Sequence, residues 1–383
     1  MRRLSVVLSS AFLVLAAGRS LGAPPAPLAD PAFTFPGSNP SPGSAVSAGL
    51  ALADRWLGDE PFDNPAIATP RGSMAAPVLL HNSRQDLRAR NRNFDEQAAF
   101  IDGAGAWIAA PVLGTWLALY AHQPVLRRED DAYERGERGA PVPPAALQSS
   151  ATLREFRGGL AVARALGRLT LGAAAEWSHR RDDMSFTEES GSPAAGTQRM
   201  SLQGDAFGGQ GGVRLVLPKM RVGEIALGVG ARYLPALSVK GTQVLDLLLG
   251  ASRVDLSAER QSGWEGGVSV ADRVTPQVRL ILGGGGRTSR EWKGLDVTDG
   301  RAWSGSLAME FHDARDPWTL RLGLGREGEE GSLNPHAGVV ALGFGWSLGT
   351  TRVDLGALRR SLESHTEPTS FDDRVLVSVT TDF

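Results

Sequence analysis

The feature that most constrains the fold is an alternation of apolar and polar residues that recurs from about Ala75 to the C-terminus. A period of two is the side-chain period of a β-strand, in which neighbouring side chains point to opposite faces. In the clearest example, one alternating arm covers residues 160–166, a second covers 169–177, and Gly167-Arg168 joins them. This pattern predicts a β-hairpin, and it repeats along the chain.

The hairpins can be counted from their turns. Further alternating arms pair residues 213–217 with 225–233, 266–270 with 278–282, 307–311 with 318–324, and 340–346 with 353–357. A less regular turn near 110–114 brings the short turns to about six. About seven longer, charged or Gly-rich segments lie between them, at 88–97, 124–150, 180–200, 234–254, 287–300, 326–334 and 361–370. Six turns and seven loops join about fourteen strands, with both ends of the sheet on one side.

The residues at the other strand positions bear on whether such a sheet lies in a membrane or in water. Opposite the apolar stripe, charged residues recur among Gly, Ser and Ala: Glu176, Arg214, Glu224, Arg232, Glu265, Arg279, Glu310, Arg321, Arg352 and Asp354. A soluble sandwich alternates in the same way, so the alternation alone leaves a secreted soluble all-β protein open. Short turns at one end, long loops at the other and an even strand number are typical of bacterial outer-membrane barrels. No interior run reaches the roughly 18 apolar residues of a membrane-spanning helix.

The N-terminus carries an export signal. Arg2 and Arg3 form a positive region, an uncharged apolar stretch follows, and small residues come next around Gly22. This order predicts a cleaved signal peptide over residues 1–22 and therefore export to the outer membrane. The Pro-rich residues 23–42 cannot donate ladder hydrogen bonds and predict an extended linker.

The last strand carries a second targeting feature. Val375, Val377, Val379 and Thr381 occupy alternate positions, and Phe383 ends the sequence. As a structural element this is an amphipathic strand that would close a barrel against its first strand. The ending also resembles the C-terminal signal by which outer-membrane barrels are recognised for assembly. We therefore expect the barrel-assembly machinery, through Phe383, and outer-membrane lipid as partners.

A family resemblance lies between the linker and the first strand. The small-residue stretch 43–54 ends in Ala-Asp and is followed, after a charged insert at 55–60, by Asp63-Asn64-Pro65-Ala66. This segment resembles the N-terminal part of the FadL family of outer-membrane transporters for long-chain fatty acids and other hydrophobic compounds. The run 316–323 is similar to a strand start in that family, and so is the closing stretch 338–346.

The resemblance implies an all-β fold, a transmembrane antiparallel β-barrel of about fourteen strands over residues 75–383, with a small N-terminal hatch, residues 43–74, inside it. A barrel of that width cannot be filled by its own side chains, so its lumen needs water or a plug. Asn64, Pro65 and Ala66 suit a tight turn of the hatch, because Asn side chains bond their own backbone and Pro fixes φ. The alternative is a surface Asn-Pro turn without function.

The sequence offers little for catalysis. It has no Cys, which excludes disulfides, thiol nucleophiles and Cys-ligated metals. No His pair has a metal-binding spacing, and no Ser lies in a Gly-x-Ser-x-Gly elbow. The glycines at 283–286 lack the Lys and the helix of a phosphate loop; they predict a kink, a bulge or a close backbone approach, with a sideways opening of the wall as a further hypothesis. We expect no enzyme activity, cofactor or metal, and the net charge of −2 gives no reason to expect nucleic acid.

The function predicted from the sequence is an outer-membrane channel for passive uptake of a hydrophobic small molecule such as a long-chain fatty acid. Inward-facing Arg214, Arg232, Arg279 and Arg321 are candidates to hold a carboxylate head group. The alternative is that these arginines pair with neighbouring glutamates in the lumen. A non-transporting outer-membrane barrel that acts as a secretion scaffold or adhesin is the alternative function.

Overall fold

A computed structural model of the chain describes residues 44–67, 73–89, 92–102, 105–135, 145–189, 196–218, 223–247, 250–293, 298–312, 317–330, 336–363 and 370–382. The expected signal peptide, the expected linker and the terminal Phe383 lie outside the described residues. Within the described part, no helix is long and apolar enough to cross a bilayer.

The described chain is all-β apart from one helical turn. The helix α1, Ala45–Gly49, is capped by Ser44, whose side chain accepts a hydrogen bond from the backbone N–H of Ser47. Nineteen strands follow: β1 Ser73–Ala89, β2 Arg92–Asp102, β3 Gly105–Val112, β4 Thr115–Arg135, β5 Ala145–Leu166, β6 Leu169–Glu189, β7 Gly196–Pro218, β8 Glu224–Leu234, β9 Leu237–Leu247, β10 Gly250–Arg260, β11 Gly263–Arg273, β12 Val278–Arg287, β13 Arg290–Lys293, β14 Thr298–Asp299, β15 Ala302–His312, β16 Trp318–Glu329, β17 His336–Leu348, β18 Thr351–Glu363 and β19 Ser370–Asp382.

All pairings are antiparallel and belong to one large sheet. The six short turns expected from the sequence connect β3 to β4, β5 to β6, β7 to β8, β11 to β12, β15 to β16 and β17 to β18. In the β5–β6 hairpin Leu166 pairs with Leu169, and Gly167 turns the chain with a φ of +66°. Four of the other five hairpins also pair the arms that the alternation predicts, and the fifth, β3–β4, turns at residues 113–114, close to the expected position.

The sheet returns to its first strand. β19 pairs with β1 from Ser73 opposite Asp382 to Asn82 opposite Asp373. β1 also pairs with β2 and β3, so the succession of paired strands that starts at β1 leads back to it. We call the end that carries the six short turns, and where β1 starts and β19 ends, the short-turn end.

In five places, two consecutive strands lie end to end, so that both occupy one position in the sheet. β8 and β9 both pair with β7, with Tyr233 opposite Gly209 and Lys240 opposite Gln203, and only Pro235 and its neighbour interrupt them. Proline lacks the N–H that the ladder needs, which explains a break there. The same relationship links β2 with β3, β10 with β11, β12 with β13, and β14 with β15.

The long loops expected from the sequence are mostly strand. Residues 124–150 were expected as a loop, but β4 continues to Arg135 and β5 begins at Ala145. Likewise β6 and β7 extend through most of 180–200, and β9 and β10 fill most of 234–254. The first two of these stretches are rich in polar residues on both sides, which hides their strand period. In all three the continued ladder keeps the backbone groups paired.

The two faces of the sheet differ in chemistry: apolar side chains lie outside and charged side chains lie inside, which is the reverse of a soluble protein. On the outer face, large apolar side chains are exposed, with Leu282 at 58% and Leu324 at 59%. On the inner face, charged side chains are buried, with Arg321 and Asp354 both at 0%. The apolar stripes therefore form no sandwich core. Of the ten charged positions expected on the inner side, nine are buried or partly buried, and Glu224 is exposed at the start of β8.

Candidate functional site

A buried N-terminal segment occupies the inner face of the sheet. This segment, residues 44–67, includes α1 and a series of turns. Leu50, Trp56, Leu57 and Ile67 are each at most 1% exposed. Leu50 and Leu57 pack against small residues of β8, β11 and β15, so apolar contacts between the segment and the sheet form part of the core.

Glycines on the inner face let the segment approach the sheet closely. If each carried a Cβ, that atom would meet the segment at 3.0 Å or less, which is closer than nearly all real Cβ contacts. These glycines lie on eight strands from β6 to β18: Gly172, Gly212, Gly228, Gly230, Gly267, Gly283, Gly323, Gly343 and Gly356. The missing side chains therefore create the space into which the segment fits.

Trp56 is the largest side chain of the segment that is fully buried. Its indole lies against Gly230 of β8, Gly267 of β11 and Gly285 of β12. The guanidinium of Arg55 lies 4.6 Å from the centre of the Trp56 ring. The backbone N–H of Trp56 donates a hydrogen bond to the Ser269 hydroxyl at 3.2 Å. Trp56 therefore anchors the segment to three adjacent strands by shape and by polar contact.

Asn64 forms the expected turn and also binds the sheet. Its side-chain oxygen accepts a hydrogen bond from the Ala66 N–H at 2.9 Å, which closes an Asx turn around Pro65. Its side-chain amide donates to the carbonyl of Trp56 at 2.5 Å and to the carbonyl of Val213 in β7 at 3.3 Å. Asn64 is 0% exposed, so the interpretation of this turn as a surface feature is wrong.

A buried ion-pair network joins the segment to three strands. Asp63 lies 2.9 Å from Arg55 and 3.0 Å from Arg232. Arg232 pairs in turn with Glu176 at 2.7 Å, and Arg55 with Glu265 at 2.5 Å. Burial alone would raise the pKa of Asp63, but the two arginines hold it well below its ordinary value.

Asp59 forms a second link, closer to the short-turn end. Arg214 of β7 lies 2.9 Å from this carboxylate, and Arg279 of β12 lies 3.4 Å from it. Burial would raise the pKa of Asp59, and the two arginines lower it. A cavity of about 130 Å³ adjoins the three residues and is also lined by Glu224 and Arg273.

The four inward arginines expected from the sequence are thus all engaged with carboxylates. Arg321, the last of them, pairs with Glu310 at 2.9 Å and with Asp354 at 2.8 Å. Arg232 is 1% exposed and Arg321 is 0% exposed, whereas Arg214 and Arg279 are partly buried and border the cavity. The alternative considered from the sequence was that these arginines pair with neighbouring glutamates. Such pairs are present for Arg232, Arg279 and Arg321, and acids of the N-terminal segment form further pairs with the arginines.

Two acids of the segment have raised pKa values. Burial, followed by the nearby charge of Asp59, raises the pKa of Asp54 to about 7, against a hydrogen bond from Ser47 that lowers it. Burial likewise raises the pKa of Glu60 to about 8, with Asp54 as the next cause. These two groups therefore change charge around neutral pH.

The glycines at 283–286 do not open the wall. β12 pairs without interruption with β11 on one side and β15 on the other through all four positions. A Cβ added at Gly283 would clash with the carbonyl of Ala53, and a Cβ added at Gly285 would lie 3.0 Å from the indole nitrogen of Trp56. The close backbone approach was predicted correctly, and the lateral opening at these residues is wrong.

The charged insert at 55–60 supplies contacts that sequence reasoning missed. It contains Arg55, Trp56, Asp59 and Glu60, which account for much of the polar contact between segment and sheet. The available signal was the density of charge and one large aromatic within a stretch of small residues. Among the described residues, no group of three or more His, Asp or Glu side chains is placed to hold a metal ion.

Two bands of aromatic residues border the apolar outer face. One lies toward the short-turn end and contains Phe311, Trp318, Phe344 and Trp346, and the other contains Phe156, Trp177, Phe207, Tyr233, Trp264 and Trp303. On β16, Gly328 pairs with Trp303 and lies ten residues beyond Trp318. Ten residues rise about 33 Å along a strand, or about 25 Å along the axis at a tilt of about 40°.

No protein-family model and no curated protein matches the chain. Solved structures do. A Pseudomonas aeruginosa FadL homologue is 14% identical and aligns over 89% of this chain and 98% of its own, with a TM-score of 0.57. The Pseudomonas putida toluene transporter TodX is 12% identical, with coverages of 91% and 98% and a TM-score of 0.58. The Ralstonia pickettii toluene transporter TbuX is 9% identical, with coverages of 90% and 98% and a TM-score of 0.56.

The pairing order and the similarity to these structures define the class of fold. The chain has the fold of the FadL-type outer-membrane transporters, over about nine-tenths of its length. The resemblance noted in the short N-terminal motifs is confirmed at this level.

Proposed function

We propose that this protein is an outer-membrane channel for the passive uptake of hydrophobic small molecules. The observation that carries the proposal is the reversed chemistry of the two faces: exposed apolar side chains between two aromatic bands outside, and buried charges inside. The spacing of about 25 Å between the bands equals the height of the apolar band in known transmembrane barrels. An apolar surface of this height is stable in lipid and costly in water.

The strand pairing supports a closed barrel of fourteen strands. When each pair of strands that continue one another is counted once, the nineteen strands reduce to fourteen, and β19 pairs with β1. Closure would leave no free sheet edge in the bilayer. In this proposal residues 75–383 form the barrel and residues 43–74 the hatch, with Asn64, Pro65 and Ala66 as its turn.

The proposed location follows from the same features. Residues 1–22 would direct export and be removed, and 23–42 would link the cleavage site to the hatch. The barrel-assembly machinery would recognise the last strand, which ends at Phe383. The even strand number and the six short turns support a periplasmic position for the short-turn end.

The substrate class is proposed from the similar structures and from the charges. Two of these structures are toluene transporters, and a third is a FadL homologue, which supports apolar aromatic or aliphatic compounds as cargo. Passive uptake needs no cofactor and no covalent chemistry, because the concentration gradient drives it. Of the four arginines, Arg214 and Arg279 remain the candidates for an acidic head group, since they border the cavity and share only Asp59 and Glu310.

The test combines folding with uptake. Membranes from cells that produce the full chain are run on gels with and without boiling, and a folded barrel migrates differently when unheated. The same cells then take up radiolabelled toluene and oleate, compared with cells that lack the chain. We expect a heat-dependent shift and faster uptake of at least one compound. A shift without uptake would favour the scaffold or adhesin, and a chain recovered in buffer without detergent would contradict both.

A further inference from the structure

The cavity of about 130 Å³ lies between the N-terminal segment and the sheet, close to the short-turn end. Three arginines and one carboxylate line it: Arg214 of β7, Arg273 of β11, Arg279 of β12 and Asp59 of the segment. Ala226 and Ala271, which pair directly, add two small apolar side chains. An apolar cavity of about 150 Å³ holds benzene, so a carboxylate with a few carbons fits a space of this size.

The arginines of the cavity already bind a carboxylate, which belongs to the chain itself. Asp59 lies 2.9 Å from Arg214 and 3.4 Å from Arg279, and Arg273 lies directly opposite Arg279 in the β11–β12 ladder. Guanidinium groups bind the carboxylate of a ligand through the same charge-assisted hydrogen bonds. Glu224 also borders the cavity, so the site depends on exchange of one acid for another and not on a surplus of positive charge. Asp59 therefore occupies the place that an acidic head group would take.

The link through Asp59 is more open to water than the link through Asp63. The side chain of Asp59 is 36% exposed, and those of its two arginine partners are 13% and 23% exposed. Around Asp63, by contrast, Arg232 is 1% exposed and Arg55 is 3% exposed. Ion pairs in contact with water are weak, whereas buried pairs are costly to break. A carboxylate from outside the chain can therefore replace Asp59 far more easily than Asp63.

We infer that this cavity is an exit site for acidic cargo, in which the cargo carboxylate replaces Asp59 on Arg214 and Arg279. The inference rests on the proposed function, because it assumes that hydrophobic compounds pass the segment toward the short-turn end. The exchange removes one of the contacts that hold the segment to the sheet. An acidic compound therefore loosens the segment, whereas a neutral compound of the same shape does not.

The coupling between cargo and segment must act in both directions. If a bound carboxylate weakens the hold of the segment by some factor, release of Asp59 strengthens carboxylate binding by the same factor. Removal of the Asp59 carboxylate should therefore raise the affinity for acidic compounds and leave the affinity for neutral ones unchanged. A gain of affinity is the sharper test, because a misfolded variant does not produce it.

The test measures, at pH 7, the binding of hexanoate and of its neutral analogue hexanamide to the full chain in nanodiscs of uncharged lipid. Asp59→Asn removes the internal competitor, and Arg273→Gln removes the third guanidinium of the cavity. The control Arg164→Gln/Arg168→Gln removes two exposed charges near the β5–β6 turn, which do not line the cavity. Calorimetry gives the affinities, and proteolysis of the N-terminal segment reports its release.

We expect hexanoate to bind Asp59→Asn at least about fivefold more tightly than the native chain, Arg273→Gln more weakly, and the control equally well. Hexanamide should bind all four chains alike. Saturating hexanoate should speed proteolysis of the native segment toward the rate of Asp59→Asn, and hexanamide should not. Equal affinity of hexanoate for Asp59→Asn and the native chain would overturn the inference, and so would equal effects of the two compounds on proteolysis.

The heat-dependent gel shift and the uptake of toluene and oleate are measured in parallel for the native chain and the variants. If both are normal while hexanoate binding does not respond to Asp59→Asn, this inference fails and the proposed function stands. Absence of both the shift and uptake in the native chain would overturn the proposed function itself.

Discussion

The side-chain amide of Asn64 donates a hydrogen bond to the carbonyl oxygen of Val213, 149 residues further along the chain. The same amide holds the carbonyl of Trp56, so one buried group both shapes the N-terminal segment and fastens it to β7. A turn that looks local in the sequence is therefore a long-range contact.

Replacing Asn64 by Asp tests that contact. The Asp side chain keeps the acceptor for the Ala66 N–H but sets a carboxylate oxygen against the Trp56 and Val213 carbonyls. A buried carbonyl that loses its partner costs about 1–3 kcal/mol, and a buried unpaired charge costs more. We expect faster proteolysis of the N-terminal segment in Asn64→Asp than in the native chain. Equal cleavage rates would mean that the contact contributes nothing to docking.

A side chain at Gly267 should displace Trp56. In Gly267→Val the added atoms meet the indole nitrogen, and overpacking of this kind costs about 1–3 kcal/mol. The control is Gly305→Val, whose Cβ has open space around it. Planar-bilayer recordings should detect an ion leak in the Gly267 variant and none in the control. A Gly267 variant with no ion leak and a normal gel shift would show that docking of the segment does not depend on the space beside Gly267.

Removal of Arg232 should be among the most damaging single changes. This guanidinium is 1% exposed and pairs with Glu176, Glu265 and Asp63. Arg232→Met therefore leaves the buried Glu176 without a cation, and leaves Asp63 and Glu265 with Arg55 as their remaining cation. Breaking such a network costs about 3–5 kcal/mol. Arg359→Met removes an exposed partner of Asp373 and should cost about 0–1 kcal/mol. Urea unfolding of the refolded chain compares the two, and similar losses would argue against a cooperative inner network.

Asp54 and Glu60 should make docking of the segment depend on pH. Their ordinary pKa values of 3.8 and 4.5 rise to about 7 and about 8 in the docked segment, because burial disfavours the charged forms. The docked state then holds protons that a released segment gives up, so docking weakens as pH rises from about 4.5 to about 8. Asp59 and Asp63 have lowered pKa values, so their opposite effect falls at more acidic pH.

The measurement is segment proteolysis, or ion leak, at pH 5, 7 and 9. We expect the native chain to loosen with rising pH, and Asp54→Asn/Glu60→Gln to respond much less over the same range. A native chain that docks more tightly at pH 9 than at pH 5 would contradict the assignment.

The outer face can be tested by placing a charge on it at mid-depth. Leu322 lies outward between the two aromatic bands, and Leu348 lies outward at a short turn. In lipid, Leu322→Arg should cost about 2–4 kcal/mol, and Leu348→Arg about 0–1 kcal/mol, because the cost falls toward the interface. Unfolding titrations in lipid vesicles provide the comparison. Equal costs at the two depths would mean that the outer face does not cross a bilayer.

The sequence determined the hairpins and the sorting of side chains between faces. The alternation around Gly167 specified the pairing of Leu166 with Leu169, because a period of two admits few registers when one face is apolar. It misjudged the long connections, such as 124–150, because strands that are polar on both sides carry no periodic signal.

The tertiary structure alone decided what those faces meet. Asp63 and Arg232 are 169 residues apart, and no local pattern indicates that they form one ion pair. Each glycine on the inner face is locally just a weak strand residue, and its role depends on the N-terminal segment that the tertiary structure packs against it. Local chemistry specifies which way a side chain points, whereas partners distant in the chain exist only once the backbone has brought them together.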